Sequence, residues 1–213
     1  MNDINTLTLI PDSPASLEPA EWWRWPCPVT PRIYLCGDLS HEPAAFAAQL
    51  DEWVALGVTT IVDVRAEWSD EHQVLERHPH LEYVWLGTHD SGGSQSMGWF
   101  DDGVAAIRNA LADPDAKVLV HCHMGVNRAP SLVYAALLAE GFGIEEGLEA
   151  IRDARPIAGI LYADSAVRWF GRQEDWSATE VGDAEHRTRV WLRLHPADVG
   201  WIISRIRQAE RAV

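Results

Sequence analysis

The chain has 213 residues, 47% hydrophobic and 23% charged, with a formal net charge of −15 at pH 7. That composition excludes disorder over the full length, and that charge argues against general binding to nucleic acid or to an anionic membrane surface. An anionic substrate must be held by local positive groups, and an acidic peptide is repelled at low salt unless the site itself is basic.

The first thirty residues carry Pro11, Pro14, Pro19, Pro26 and Pro28 around EWWRW. Such proline density forbids long regular structure, so residues 1–30 read as an arm, with Trp22, Trp23 and Trp25 as an apolar clamp or, less simply, a sugar or partner platform. The opening MNDINTLTLIPDSP lacks the basic start and long apolar run of a secretory signal, and no stretch approaches the length of a membrane span. Cys27, Cys36 and Cys122 are odd in number and irregular in spacing, which suits reduced thiols and a cytoplasmic location.

From Arg32 the pattern becomes regular. RIYLCGD reads as a strand, EPAAFAAQLDEWVALG as a helix closed by Gly57, and VTTIVDVR as a buried strand whose Asp63 and Arg65 form a structural ion pair. LEYVWLG is a further strand, followed by THDSGGSQSMG, a loop too rich in glycine and serine for regular structure. WFDDGVAAIRNALA is helical, KVLVH is a fully apolar strand, and APSLVYAALLAEG is a helix with Pro130 in its first turn. IEEGLEAIRDAR and ILYADSAVRWFGRQ add two helices. Strands alternating with helices predict an α/β domain of three layers, a mostly parallel sheet flanked by helices, over residues 31–172. Residues 173–213 form an extension in which RTRVWLRLH alternates as a strand and PADVGWIISRIRQAERAV has helical spacing. The extension packs on the core or on a second chain, so an oligomer built through it stays open.

The chemistry concentrates in HCHMGVNRAPS. Cys122 stands at the C-terminal end of an apolar strand and before a helix, where α/β proteins collect ligands. The residues His123, Met124, Gly125, Val126 and Asn127 between it and Arg128 can turn successive N–H groups into one concavity, with Gly125 relieving the crowding. The helix adds its positive N-terminal end. The result is an anion cradle with a thiol at its floor, in a field that favours the nucleophilic thiolate. Arg128 brings a planar fork that binds two oxygens of a phosphoryl group. Zinc is not expected: strand and loop geometry splays His121 and His123, and no second ligand pair has metal spacing.

The run His121, Cys122, five residues, Arg128, with Gly125 inside it, resembles the signature of the cysteine-dependent protein phosphatases. The resemblance spans roughly Pro31 to Arg172: VTPRIYLCGD is similar to the opening strand of dual-specificity phosphatases, VTTIVDVR to their central strand, and AIRDARPIAG to the helix and arginine-proline turn after the signature. It implies a cysteine-phosphatase-like fold, no cofactor, and a phosphomonoester partner. Phosphotyrosine or phosphoserine/threonine proteins lead, with phosphoglucans, lipids and RNA ends as alternatives and a pseudophosphatase that only binds as the rival class. It also implies roles: Cys122 as nucleophile, Arg128 and the loop as phosphate binders, His121 in support, and a general acid about thirty residues upstream. Asp90 fits that place, with Asp101, Asp102 and His89 as lesser candidates. One departure stands out. Many members have serine or threonine after the arginine, to help the thiolate leave; here it is Ala129, and Ser131 is expected to point elsewhere.

Overall fold

The segment KVLVH, buried from Val118 to His121, is the middle of the sheet. In the computed structural model, which describes residues 22–211, five strands are ordered β1-β2-β5-β3-β4, with β1 (Cys27–Pro28), β2 (Ile33–Cys36), β3 (Val58–Arg65), β4 (Glu82–Thr88) and β5 (Lys117–His121). Only the β1–β2 pairing is antiparallel, so the mostly parallel sheet expected from the sequence is present. Alternate residues of β5 serve opposite faces. Val118 and Val120 enter one core and Leu119 the other, all fully buried. Truncating Leu119 to alanine would cost on the order of 2–5 kcal/mol, the usual range for a filled core position.

Helices α1 (Pro43–Ala55) and α2 (Glu71–Arg77) cover the Leu119 face through Leu50, Trp53 and Val74. The polar run that becomes α2 gave no helical signal, and Val74 is its one buried residue. Helices α3 (Met97–Ala110), α4 (Arg128–Ala139), α5 (Ile144–Ala154) and α6 (Ala163–Gln173) cover the other face. Ser96 starts α3 by accepting a hydrogen bond from the Trp99 N–H at 3.2 Å. The α6 helix begins three residues later than its apolar pattern because Ile160 is held at φ +51°, a left-handed conformation that a β-branched residue rarely adopts.

The extension corrects the sequence reading. RTRVWLRLH is not a strand: it is the end of α7 (Ala178–Leu194). Ser177 and Glu180 form a reciprocal cap at its start. Its buried residues Ala184, Thr188 and Trp191 recur at four and three residues, so its true period is helical. The final helix, α8 (Val199–Glu210), buries Ile202 and Ile206 against Trp23, Val126 and Ile157. The extension thus packs on its own core. Of the arm, residues 1–21 lie outside the described residues; Trp23 is fully buried, as a clamp requires, and Trp25 is half exposed.

Candidate active site

Sheet register fixes the floor of the site. His121 pairs with Cys36 on one side and Asp63 on the other, so Cys122 is the first residue past the end of the central strand. It is buried, and it lines a cavity of about 400 Å³ together with Glu67, Asp90, Asn127 and Arg128.

Every loop carbonyl from His123 to Val126 is held from outside the cradle. His123 O accepts from the Asp38 N–H at 3.0 Å, and Val126 O from the Gly159 N–H at 2.6 Å. Between them, buried Arg155 donates from Nη2 to Met124 O at 3.0 Å and from Nε to Gly125 O at 2.7 Å. The peptide unit is planar and trans, so a carbonyl turned outward turns the next N–H inward. The N–H groups of Met124, Gly125, Val126 and Asn127 therefore converge on the space above Cys122, the arrangement that binds anions. Gly125 is required here: its φ is +63°, and a Cβ would stand 2.5 Å from Cys36 O and 2.4 Å from Arg155 Nη2.

Arg128 is clamped. Its Nη1 and Nη2 donate to the two carboxylate oxygens of Glu67 at 2.7 and 2.9 Å, and Nη1 also reaches Thr88 O at 2.9 Å. Burial opposes the guanidinium charge, but the bond to Glu67 and the Cys122 thiol beside it hold its pKa above the ordinary value. Nε is buried without a hydrogen-bond partner in the structure. A buried donor left open at the wall of an anion cradle is available to an anionic oxygen.

Asp90 faces this wall. Its Oδ1 accepts from Asn127 Nδ2 at 2.6 Å and from the Tyr162 hydroxyl at 3.0 Å, while Oδ2 lies 3.7 Å from Arg128 Nε. With Oδ1 taken by two donors, Oδ2 is the carboxylate oxygen without a hydrogen-bond donor. The second carboxylate in the cavity, Glu67, is not suited to carrying a proton: burial works against its charge, but the hydrogen bonds and charge of Arg128 outweigh it and hold its pKa below the usual carboxylate range. Asp101 instead accepts from Trp169 Nε1 at 2.8 Å and Gln173 Nε2 at 2.9 Å. Neither it, Asp102 nor His89 lines the cavity.

The two histidines part as expected. His121 is fully buried, with Nε2 3.9 Å from Asp63 Oδ1, and burial lowers its pKa to about 4 against the opposing pull of Asp63. It is neutral at pH 7. His123 turns away to Glu210 on α8, Nε2 to Oε1 2.9 Å, so its part in the cradle is its backbone. Behind the loop, Arg65 donates to Asp63 at 2.9 and 2.7 Å and to Asp70 at 2.6 Å, an ion network that fixes the end of β3. Ser131 Oγ is engaged with Asn127 Oδ1 at 3.3 Å and the Tyr162 N–H at 3.2 Å.

Sequence reasoning did not find Glu67, Tyr162 or the α8 residues of the wall. The arginine of the arginine-proline turn, Arg155, was visible only as part of a resemblance. Glu67 carries no motif; its one signal is its place at the C-terminal end of β3, beside the end of β5.

The family described as "Dual specificity phosphatase, catalytic domain" matches residues 33–165. Human dual specificity protein phosphatase 4 is 27% identical over 133 residues, 62% of this chain and 31% of that protein. Mouse dual specificity protein phosphatase 13B is 29% identical over 157 residues, 71% of this chain and 79% of that protein. The chain thus spans about a third of the length of some curated relatives and more of others. The crystal structure of human DUSP28 superposes with a TM-score of 0.58 at 17% identity, covering 70% of this chain and 95% of that one. With the matched segment running from β2 into α6 and enclosing the whole cysteine loop, the chain belongs to the dual-specificity phosphatase family.

Proposed function

We propose that the protein hydrolyses phosphate monoesters through a phosphocysteine intermediate, on phosphotyrosine or phosphoserine/threonine residues of proteins. The observation that carries this reading is the outward pinning of four successive loop carbonyls over a buried cysteine, with Arg128 Nε left open beside it. In the first step the Cys122 thiolate attacks phosphorus in line. The P–S bond forms as the P–O bond breaks, and Asp90 Oδ2 passes its proton to the departing oxygen. Loop N–H groups and Arg128 stabilise the equatorial oxygens, whose charge is largest in the transition state. In the second step Asp90, now a carboxylate, takes a proton from water. The water oxygen bonds to phosphorus, the P–S bond breaks, and inorganic phosphate leaves with the thiolate restored.

His121 supports the loop from beneath as a neutral, buried ring. The test is phosphate release from a small aryl phosphate, with and without EDTA. Turnover indifferent to EDTA is the expected result. Binding without turnover would make the protein a phospho-binding module, and turnover abolished by EDTA would replace the mechanism.

A further inference from the structure

The cavity has a wall that the family domain does not supply. Val199, Ile203 and Arg207 of α8, beyond the matched residues 33–165, line the same cavity as Cys122 and Arg128. These three are four residues apart, so they form one stripe along the helix with a rise of about 6 Å between neighbours. The adjacent stripe, Ile202 and Ile206, is buried against Trp23, Val126 and Ile157, and Glu210 bonds to His123. The rotation of α8 is therefore fixed, and Val199, Ile203 and Arg207 are held toward the cavity.

Arg207 is an unused cation at this place. The cavity's other guanidinium, Arg128, is committed to Glu67, and on α8 itself Arg205 lies over the Trp201 ring at 5.8 Å. Among the described residues no carboxylate or hydrogen-bond acceptor pairs with Arg207, which is exposed. In a chain of net charge −15, whose cavity also carries Glu67 and Asp90, Arg207 offers an uncommitted positive charge beside the site. Leu161, Val199 and Ile203 give the same cavity an apolar part of its lining.

We propose that α8 is the specificity element of this site: Val199 and Ile203 flank the ring of a phosphotyrosine, and Arg207 binds the carboxylate of an acidic residue beside it. The proposal rests on the phosphatase reading above. An apolar strip suits a phenyl ring and not the hydroxyls of a sugar or inositol headgroup, and the strongly acidic chain is repelled by an anionic bilayer. A phosphopeptide is thus the substrate the wall fits.

The test is steady-state hydrolysis of two phosphotyrosyl peptides that differ only in Glu or Gln beside the phosphotyrosine. At low ionic strength the wild type is expected to favour the Glu peptide by about three- to fivefold in kcat/KM, the scale of one exposed ion pair. The preference is expected to weaken with salt, to fall to about one in Arg207→Gln and to persist in Arg207→Lys. A ratio of one or less in the wild type, or a ratio unchanged in Arg207→Gln, overturns the proposal. Turnover of a small aryl phosphate but of neither peptide does the same, and so does a soluble inositol bisphosphate cleaved faster than both; the phosphatase reading survives each of these. Failure on the aryl phosphate as well removes both.

Discussion

Glu67 grips Arg128 with two parallel hydrogen bonds across 61 residues of chain, and the grip leaves Arg128 Nε facing the cradle. A free arginine would lose side-chain entropy on binding phosphate; this one is already ordered. Glu67→Gln removes the charge and replaces one accepting oxygen by a donor. With charged hydrogen bonds contributing about 1.5–3 kcal/mol, kcat/KM on an aryl phosphate should fall by roughly ten- to a hundredfold. The melting temperature should fall as well, because Arg128 is buried and loses the charge that partners it. Steady-state kinetics beside a melting curve checks both.

Asp90 presents Oδ2 to the cavity because Oδ1 is held by Asn127 and Tyr162. Asp90→Asn should slow alkyl phosphates, whose leaving oxygen needs a proton, far more than activated aryl phosphates, which leave unaided. A plot of rate against leaving-group pKa should steepen in the variant. Equal losses along the series would move the acid role to another residue.

Ala129 is fully buried, and the nearest hydroxyl in sequence, Ser131, is spent on Asn127 and Tyr162. Neither residue therefore offers a free hydroxyl to the leaving sulfur when the proposed intermediate breaks down. Rapid mixing with an activated aryl phosphate should show a burst near one equivalent of phenol, then a slower steady rate. Ala129→Ser should raise the steady rate by about ten- to a hundredfold, the value of one hydrogen bond to a developing thiolate, and leave the burst rate in place.

His121 makes acid a stress on the fold. Its imidazole takes a proton near pH 6.5 when unfolded and only near 4 when buried. Between those values the unfolded chain binds more protons, so this contribution is full above about pH 6.5 and is lost as pH falls toward 4. A shift of that size corresponds to about 3 kcal/mol. Asp38, raised by burial to about 8, acts with opposite sign across the same range, but it is present in both proteins of a comparison. Urea unfolding of wild type and His121→Asn should therefore differ by about 3 kcal/mol less at pH 4 than at pH 7. Parallel curves would contradict it.

What the sequence made legible was local. Val118, Leu119 and Val120 of KVLVH are apolar in succession because β5 is covered on both faces, and Cys122, Gly125 and Arg128 lie within seven residues, so one loop carries its own signature. Asp90 is reached through the resemblance, which asks for an acid about thirty residues before Cys122, where a polar loop carries it. Glu67, Tyr162 and the α8 stripe reach the site only through topology, and no spacing announces them. The error at RTRVWLRLH has the same origin in reverse. Five alternating residues fit a strand, and only a window reaching back to Ala184 shows the spacing of the buried face, which α6 and the core select.

The nucleophile is the centre of the account, and the rate of phenol release from an activated aryl phosphate by Cys122→Ser tests it most directly. The cradle of N–H groups and Arg128 stays in place in this variant, so tungstate should still bind while turnover falls below about 1% of wild type. Turnover that persists above a few per cent in the serine variant would remove Cys122 from the mechanism.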